Sequence, residues 1–535
     1  MPVASPPFSR DAMLARVQSG GAFDVVVVGG GATGLGVAVD AAARGFSTLL
    51  VEAEDFAKGT SSRATKLVHG GVRYLAQGNV NLVREALRER RLFLDNAPHL
   101  AQPLSFVVPA YGLRGRFWDL PFYAAGLTIY ELLSGSSRLG SVGLLGRRAA
   151  LDAAAGLEPD GLVGGIRYWD GQFDDARFAV ALARTAHRES ATVLNYCRAA
   201  GFLYEGDRIT GVTVEDVETG RRHDVPGRCV INATGVWVDR LRRLDAPAAS
   251  DLVTPSQGVH LVVDRDCFPS SSAMLVPKTA DGRVLFAVPW LGKVILGTTD
   301  TPRTDLPLEP RPFDTEVEFI LAEAGRRLAA PLSRASVRSA WVGLRPLVKR
   351  GAGGHDTKRL SREHVVEVSP HGLVSVTGGK WTTYRAMAES VLAAAFARGL
   401  LPERPAGITR RLRLVGAPPT SSSLTPLSAP PGPHLYGTEA PVVAALPGAE
   451  RMLLPGFSEA MVRFAVRHEA ARTVEDVLAR RSRWLLLDAR SAANAAGGVA
   501  EIMRDELGDR FDAEASAAAF IRLAESYLLP GSCSE

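Results

Sequence analysis

The chain has 535 residues, 46% of them apolar and 22% charged, which is the composition of an ordinary globular protein and excludes global disorder. Because one compact core does not extend over this length, we expect two or three domains. The net charge of +5 favours an anionic partner, but the arginine clusters at 84–91 and 410–414 lack the patterns of nucleic-acid sites, so we expect no nucleic-acid binding.

The cysteines and the N-terminus indicate the cellular compartment in which the protein is expected. The four cysteines are widely spaced and form no CxxC pair, which predicts neither a disulfide framework nor a metal site and favours reducing conditions. The start of the chain, MPVASPPFSRDAMLARVQ, has no apolar run of signal-peptide length. No segment reaches the ~18 uninterrupted apolar residues of a membrane span. We therefore expect a cytoplasmic protein.

The first predicted unit is a nucleotide-binding βαβ fold. A β-branched run, DVVVV, leads into GGGATGLG, a helical stretch and the strand STLLVE. The spacing Gly29-x-Gly31-x-x-Gly34 allows a tight turn, close approach to a pyrophosphate and tight packing of helix on strand. Glu52 ends the second strand, where a carboxylate binds a ribose hydroxyl. The spacing alone does not distinguish FAD from NAD.

Two segments that follow carry unusual side chains. SSRATKLVHGGVRYL (61–75) gathers hydroxyls, cations and a glycine pair, so it offers many donors on a flexible backbone to a small molecule. FWDLPFYAAGLTIYELL (117–133) is aromatic and apolar, is broken by charges and is flanked by Arg114 and Arg116. It suits a helix in the membrane interface, and a buried helix of a substrate domain is an equal alternative.

The middle of the chain alternates between two kinds of sheet. A helix is predicted within 170–190, then short strands to CVINATG (229–235), which fits either the edge of a nucleotide-binding sheet or a plain buried strand and turn. From 250 to 340, strands such as QGVHLVVD (257–264) and KVILGTTD (293–300) predict a separate antiparallel sheet that covers the substrate.

The stretch GLVSVTGGKWTTYRAMAESVLAAAFARG (372–399) predicts a strand, a glycine turn and a helix that begins at Lys380. A helix N-terminus favours negative charge, which suits the anionic edge of a reduced flavin and gives no advantage to a nicotinamide. Beyond it, the Pro/Ser-rich run at 415–433 predicts a linker. The remaining residues predict an all-helical domain without evident chemistry.

The combined motifs resemble the FAD-dependent, quinone-linked glycerol-3-phosphate dehydrogenases of the respiratory type. The most specific matches are TSSRATKLVHGGVRYL (60–75), GLRPLV (343–348), LSREHVV (360–366), TGGKWTTYR (377–385) and VEDVLARRSRWLLLD (474–488). The resemblance implies an α/β fold of the D-amino-acid-oxidase type, with a Rossmann-type FAD domain, an antiparallel-sheet substrate domain and a C-terminal all-helical domain. Within the matching turn, Trp381 stands where a smaller residue is expected.

The resemblance also implies the domain limits. The FAD-binding domain takes segments 22–105, 170–250 and 341–405. The substrate domain takes 106–169, which includes the membrane-interface segment, and 251–340. The linker takes 415–436, and the helical domain 437–535.

The resemblance implies the site residues as well. Catalytic roles fall to His260, Arg345 and Lys380, and the substrate is bound by Arg73, Tyr74, Arg345, Arg362 and His260. Arginine forks match a phosphate dianion. We take His260 as the first candidate for the base because an unperturbed imidazole titrates near neutral pH, with a buried arginine as the alternative. The residues expected to bind FAD are Gly29, Gly31, Thr33, Gly34, Glu52, Thr60, Ser61, Ser62, Lys66, Leu67, His69, Gly235, Gly379, Lys380 and Thr382.

The implied reaction oxidises sn-glycerol 3-phosphate to dihydroxyacetone phosphate and passes the electrons through FAD to a membrane quinone. The implied partners are the substrate, the quinone and a peripheral membrane surface on the cytoplasmic face of the inner membrane, with a homodimer as a further prediction. Three alternatives stay open: a glycerol-3-phosphate oxidase, an amine or amino-acid oxidase of the same fold, and a non-catalytic FAD-bound module that recruits a protein.

Overall fold

The strands form two large sheets and one ribbon. The computed structural model describes residues 8–72, 79–349, 364–419 and 423–531. The strands in these ranges are β1 Phe23–Val28, β2 Thr48–Val51, β3 Leu67–Val68, β4 Ala101–Tyr111, β5 Gly143–Gly146, β6 Leu162–Phe173, β7 Thr192–Leu194, β8 Cys197–Glu205, β9 Arg208–Asp216, β10 Arg222–Asn232, β11 Val253–Asp264, β12 Ala273–Val276, β13 Leu285–Trp290, β14 Lys293–Gly297, β15 Thr301–Pro302, β16 Val337–Val348, β17 His364–Val368, β18 Val374–Gly378, β19 Met452–Leu454 and β20 Phe457–Ser458.

Helices cover the sheets and make up most of the C-terminal domain. The α-helices longer than three residues in the described ranges are Arg10–Gln18, Ala32–Ala43, Val80–Asn96, Leu120–Ser134, Arg147–Ala153, Asp175–Arg188, Val238–Asp245, Asp314–Gly325, Tyr384–Ala397, Ala440–Ala444, Glu459–Glu469, Trp484–Leu487, Ala489–Leu507 and Ala513–Glu525. Among the described helices, none has both the length and the apolar character needed to cross a membrane.

The first sheet contains the βαβ unit that was predicted to bind a nucleotide, and we call it the nucleotide-binding sheet. Its order is β17-β18-β10-β1-β2-β7, and β9 and β8 extend it from the start of β10. The four neighbouring pairs from β18 to β7 are parallel, and their β-branched residues are buried, as a parallel sheet covered on both faces requires. The end of β10 lies beside β1, so CVINATG belongs to the nucleotide-binding sheet.

The second sheet is antiparallel except where β12 meets β4. Its order is β15-β11-β14-β13-β12-β4-β6-β3, with β16 paired to β11 and β5 to β6. Three of its strands, β4, β6 and β16, run through the domain limits predicted at 105/106, 169/170 and 340/341. We therefore correct those limits, since each strand belongs to the second sheet over its whole length.

The C-terminal domain packs on the second sheet. Trp290 and Trp341 of that sheet share one buried apolar cluster with Phe464 and Leu485 of the helical domain. The described part of the predicted linker packs against the same cluster through Leu427, so this segment is in contact with the folded domains. The domain also contains the ribbon of β19 and β20, which corrects the all-helical prediction. The predicted fold is otherwise confirmed.

Candidate active site

The turn after β1 has room for backbone only. Gly29 has a φ of 112°, and a Cβ there would lie 2.7 Å from the Ala233 carbonyl oxygen. A Cβ on Gly34 would lie 1.9 Å from the carbonyl oxygen of Gly29. Gly31 precedes the helix Ala32–Ala43, whose first turn contains Thr33. The glycine spacing therefore forms a cradle at a helix N-terminus, where an anion is favoured.

Glu52 lies beside this cradle and is hydrogen-bonded to it. Its carboxylate accepts hydrogen bonds from the backbone N–H groups of Gly30 (2.6 Å) and Glu54 (2.9 Å). Burial raises the pKa of Glu52 above its usual value, and the two backbone bonds oppose this shift. The carboxylate is thus held in one orientation directly after β2, where it was predicted to bind a ribose hydroxyl.

The loop that begins at Thr60 ties the two sheets together. Ser61 Oγ accepts from the Ala32 N–H (2.9 Å), and the hydroxyl of Thr60 donates to the Leu344 carbonyl oxygen in β16 (2.6 Å). Ser62, the next residue of the loop, is buried. The loop therefore spans the distance from the nucleotide cradle to the antiparallel sheet.

Lys66 stabilises this loop through hydrogen bonds in the protein interior. Its ammonium donates to the Ser62 carbonyl oxygen (2.8 Å) and to Asp175 Oδ2 (2.7 Å), and it lies 5.1 Å from the ring centre of Trp341. Burial lowers the pKa of Lys66 to about 7, and the charge of Asp175 opposes this shift. Neither Ser62 nor Lys66 lines the cavity described below. The cofactor contacts predicted for Ser62 and Lys66 stay predictions.

Arg483 of the C-terminal domain reaches the same loop, and sequence reasoning missed it. It is fully buried and donates to the Ser62 carbonyl oxygen (2.9 Å) and to Asp175 Oδ1 (2.8 Å). Its own backbone has a φ of 70°. The only sequence signal was its place inside the family motif at 474–488. A residue from the helical domain therefore helps to fix the loop that joins cradle and sheet.

A cavity of about 220 Å³ lies between the two sheets. The predicted site residues that line it are Thr60, Leu67, His69, His260, Arg345, Gly379, Lys380 and Thr382. The lining residues that sequence reasoning did not assign to the site are Arg63, Ala64, Thr65, Gly258, Phe286, Gly343, Pro346, Leu347 and Trp381. The predicted residues Arg73, Tyr74 and Arg362 lie outside the described residues.

His260 stands in β11 with its ring stacked on Trp341, 5.2 Å between ring centres. Its Nε2 lies 2.9 Å from the Thr65 hydroxyl oxygen. Burial, and then the positive charges of Lys66 and Arg345, lower the pKa of His260 well below its usual value. The imidazole is therefore neutral at neutral pH. The prediction that it titrates there unperturbed is wrong, because the sequence did not reveal its burial beside two cations.

Arg345 in β16 faces the same cavity. It donates to the Thr298 hydroxyl (3.1 Å) and the Gln257 carbonyl oxygen (3.2 Å), and lies 3.4 Å from Asp300 Oδ1. A Cβ on Gly258 would lie 2.1 Å from the Arg345 guanidinium, so a larger residue on the neighbouring strand would displace the guanidinium. The guanidinium is thus held in place by three groups while part of it faces the cavity.

The turn after β18 forms the opposite wall. Gly378 and Gly379 have positive φ values of 80° and 71°, and the chain then enters a short 3₁₀ turn, Trp381–Thr383, before the helix Tyr384–Ala397. The Trp381 indole donates to the Ser61 carbonyl oxygen (2.9 Å). The large residue at 381 therefore anchors this turn to the loop that begins at Thr60.

Gly235 lies near the cradle but outside the cavity lining. It follows β10 with a φ of 61°, and its carbonyl oxygen accepts from the Thr377 hydroxyl (3.1 Å). The loop after β10 is thereby tied to β18. Hydrogen bonds therefore connect the cradle to Glu52 and to the loop from Thr60, and connect that loop to the turn after β18, which lines the cavity.

Comparison with known proteins agrees with this geometry. Residues 24–385 match the family model described as FAD dependent oxidoreductase, and residues 408–514 match the C-terminal domain of alpha-glycerophosphate oxidase. The mitochondrial glycerol-3-phosphate dehydrogenase of Homo sapiens is 40% identical over 541 residues, which cover 95% of this chain and 73% of the relative. The corresponding protein of Schizosaccharomyces pombe is 35% identical and covers 94% of this chain and 87% of its own length.

Solved structures give the same result. The glycerol-3-phosphate dehydrogenase from Bacillus halodurans, complexed with FAD, superposes with a TM-score of 0.77 at 29% identity and covers 99% of this chain and 100% of that chain. An L-alpha-glycerophosphate oxidase from Mycoplasma pneumoniae, with FAD bound, superposes with a TM-score of 0.55 at 16% identity. It covers 73% of this chain and 98% of that chain, and at this identity it shows the fold alone.

Proposed function

The chain belongs to the FAD-dependent glycerol-3-phosphate dehydrogenases, and from this we propose that it oxidises sn-glycerol 3-phosphate to dihydroxyacetone phosphate and passes the electrons to a membrane quinone. The observation that carries the proposal is the cavity in which the turn after β18 faces His260 and Arg345. A cofactor at that turn and a phosphorylated alcohol at those two side chains would share this one cavity.

These connected segments fit FAD. The glycine cradle has no room for side chains and suits a pyrophosphate, Glu52 suits the ribose, and Thr382 stands at the helix end where negative charge is favoured. When bound, FAD accepts the hydride that leaves C2 of the alcohol. The chain supplies binding, orientation and control of the hydroxyl proton.

Arg345 is proposed to bind the substrate. Its planar donors match a phosphate dianion, and Asp300, Thr298 and Gln257 hold the guanidinium in one orientation. Arg73, Tyr74 and Arg362 stay predictions as further phosphate ligands. Lys380 lines the cavity on the side of the turn and is proposed to stabilise negative charge near it.

The neutral form of His260 is proposed to accept the hydroxyl proton. A neutral imidazole has a lone pair to receive it, and the stacked Trp341 ring and the Thr65 hydroxyl fix the orientation of the ring. The charges of Lys66 and Arg345 disfavour the protonated ring in the free protein. A bound phosphate dianion offsets that charge, so substrate binding itself raises the basicity of His260.

An anaerobic titration of the purified holoenzyme tests the function. We expect glycerol 3-phosphate to bleach the flavin absorbance bands and a 2-amino acid to leave them unchanged. Bleaching by the amino acid alone would favour an amino-acid oxidase of the same fold. If dithionite reduces the flavin but neither substrate does, the result would favour a non-catalytic module.

The electron acceptor is tested separately. A soluble quinone analogue is expected to reoxidise the reduced flavin much faster than dissolved oxygen does. Rapid formation of hydrogen peroxide in air would identify an oxidase and contradict the quinone proposal. A homodimer stays a prediction.

An exposed apolar surface supports peripheral membrane binding. The helix Leu120–Ser134 and the turn before it bury Leu127 and Tyr130 but leave large apolar side chains 63–76% exposed. Contiguous exposure of this kind marks an interaction surface, and the arginines beside it suit anionic headgroups. We propose attachment to the cytoplasmic face of the inner membrane. The exposed side chains are Leu113, Phe117, Trp118, Phe122 and Leu132.

Vesicle flotation tests this attachment. The protein is expected to float with vesicles of anionic phospholipid, and a Phe117→Ser/Trp118→Ser variant is expected to stay at the bottom of the gradient. Ile408→Ser is the matched control, because Ile408 is also exposed but lies on another part of the chain. Wild-type protein that does not float would contradict the proposal.

A further inference from the structure

The peptide bond between His69 and Gly70 is held at both ends. The Thr382 hydroxyl donates to the His69 carbonyl oxygen (3.3 Å), and the Gly70 N–H donates to the Tyr130 hydroxyl oxygen (2.7 Å). His69 lines the cavity. Two distant parts of the chain therefore fix the orientation of one peptide unit at the edge of the site.

Tyr130 is itself held in one orientation. Its hydroxyl donates to Asp170 Oδ2 (2.9 Å), and Arg90 donates to the other oxygen of the same carboxylate (2.8 Å). All three residues are at least 97% buried. Burial, and then the charge of Asp170, raise the pKa of Tyr130 far above its usual value, so the phenol keeps its proton. With that proton directed at Asp170, the oxygen lone pair is left to accept from Gly70.

The loop fits closely against this tyrosine. A Cβ on Gly70 would lie 2.5 Å from the Tyr130 hydroxyl oxygen and 2.5 Å from a methyl carbon of Leu87. Val83, Leu87 and Tyr130 form a small buried cluster of their own, with Val72 packed against it. Gly70 thus has no freedom to move toward Tyr130, and the hydrogen bond prevents it from moving away.

We propose that Tyr130 is a positioning residue of the active site, which sets the His69–Gly70 peptide and through it the His69 side chain. Because Tyr130 belongs to the helix whose other face is exposed and apolar, the same hydrogen bond links that surface helix to the cavity. The proposal concerns the chain alone, and only its kinetic consequence rests on the proposed function.

The first test is hydrogen exchange of the Gly70 amide. In Tyr130→Phe we expect this amide to exchange about fivefold faster than in the wild-type holoenzyme, the factor of one ordinary hydrogen bond. Tyr204→Phe is the matched control, because it also removes a phenol that donates to a buried aspartate, Asp245, at 3.2 Å. An unchanged Gly70 exchange rate in Tyr130→Phe overturns the proposal, whatever the substrate of the enzyme.

The second test separates positioning from plain stability. In Tyr130→Phe the KM for glycerol 3-phosphate is expected to rise about fivefold, while FAD content stays at the wild-type value. Tyr204→Phe is expected to change none of these. Faster exchange with an unchanged KM and kcat would overturn the positioning role and leave a structural one.

A variant on the other side of the peptide covers the case in which Tyr130→Phe does not fold. Thr382→Val removes the hydroxyl that donates to His69 and keeps the shape of the side chain. This variant is also expected to increase the hydrogen-exchange rate of the Gly70 amide. The effects of the two changes are expected to be non-additive, since both act on one peptide unit. Unchanged Gly70 exchange in Thr382→Val would overturn the two-sided hold.

Discussion

Replacing Arg345 tests the substrate site most directly. A charge-assisted contact to phosphate is worth about 1.5–3 kcal/mol, which corresponds to about 10- to 150-fold in affinity. The Arg345 side chain is 22% exposed and already shares its charge with Asp300 at 3.4 Å, so solvent and the carboxylate screen it. We therefore expect Arg345→Ala to raise the KM for glycerol 3-phosphate by the lower part of this range, about 10-fold.

The assay compares two alcohols. Flavin reduction is followed with glycerol 3-phosphate and with glycerol, which lacks the phosphate. If Arg345 binds the phosphate, Arg345→Ala lowers kcat/KM for glycerol 3-phosphate and leaves the low value for glycerol unchanged. Arg303→Ala is the matched control: this nearby arginine also contacts Gln257, at 2.6 Å, but does not line the cavity.

Two results would refute this reasoning. A KM that stays at the wild-type value in Arg345→Ala, with normal FAD content, would remove Arg345 from the phosphate site. An equal loss of kcat/KM for both alcohols would show that Arg345 acts on the reacting hydroxyl. The second result would make the arginine alternative for the base stronger than His260.

Two further predictions concern the free energy of unfolding and the buried titratable groups that contribute to it. Asp55 is fully buried and pairs with both Arg480 and Arg481 of the C-terminal domain, so Asp55→Asn is expected to lower the free energy of unfolding in urea by about 3–5 kcal/mol. Asp95→Asn breaks an exposed pair and is expected to cost at most about 0.5 kcal/mol, so equal losses would contradict the argument. Burial lowers the pKa of His99 to about 3, below its unfolded value of about 6.5, so its contribution to stability is complete above pH 6.5 and is lost as pH falls. Between pH 6.5 and 5 this loss is about 1.6 kcal/mol and should be absent in His99→Leu.

Local features of the sequence predicted the nucleotide-binding half of the site. The β-branched run, the glycine spacing and Glu52 act over short separations, where turn geometry and strand burial follow from residue type. The turn at Gly379 and Lys380 was predicted for the same reason. The prediction for 229–235 stayed open because a strand's neighbours in a sheet are not written in its own residues.

Long-range pairing explains what the sequence did not predict. The family resemblance placed Lys66 among the cofactor-binding residues, but its ion pair with Asp175 was not predicted because that partner is distant in sequence. The pKa of His260 depends on cations from two other segments. Tyr130 looked like part of an apolar helix, and its bond to Gly70 depends on the packing of that helix against the loop. Each case turns on which buried polar groups meet, and residue type alone leaves that undetermined.

The C-terminal domain looked inert from its sequence, and Arg483 gives it a testable role in the site. Its buried guanidinium contacts the Ser62 carbonyl oxygen and Asp175, and its charge lowers the pKa of Lys66. Arg483→Met removes these donors from the floor of the loop that begins at Thr60, so we expect FAD to dissociate at least about tenfold faster, since hydrogen bonds to charged groups are worth about 1.5–3 kcal/mol.

The control for Arg483 is another arginine of the same domain. Arg472 also pairs with a distant part of the chain, Glu218 in the turn between β9 and β10, at 2.6 Å, but both side chains are about 30% exposed. Because exposed pairs contribute little, Arg472→Met is expected to release FAD at the wild-type rate. FAD release is followed by the recovery of flavin fluorescence after dilution. Equal rates in the two variants would mean that the buried guanidinium of Arg483 does not position the loop.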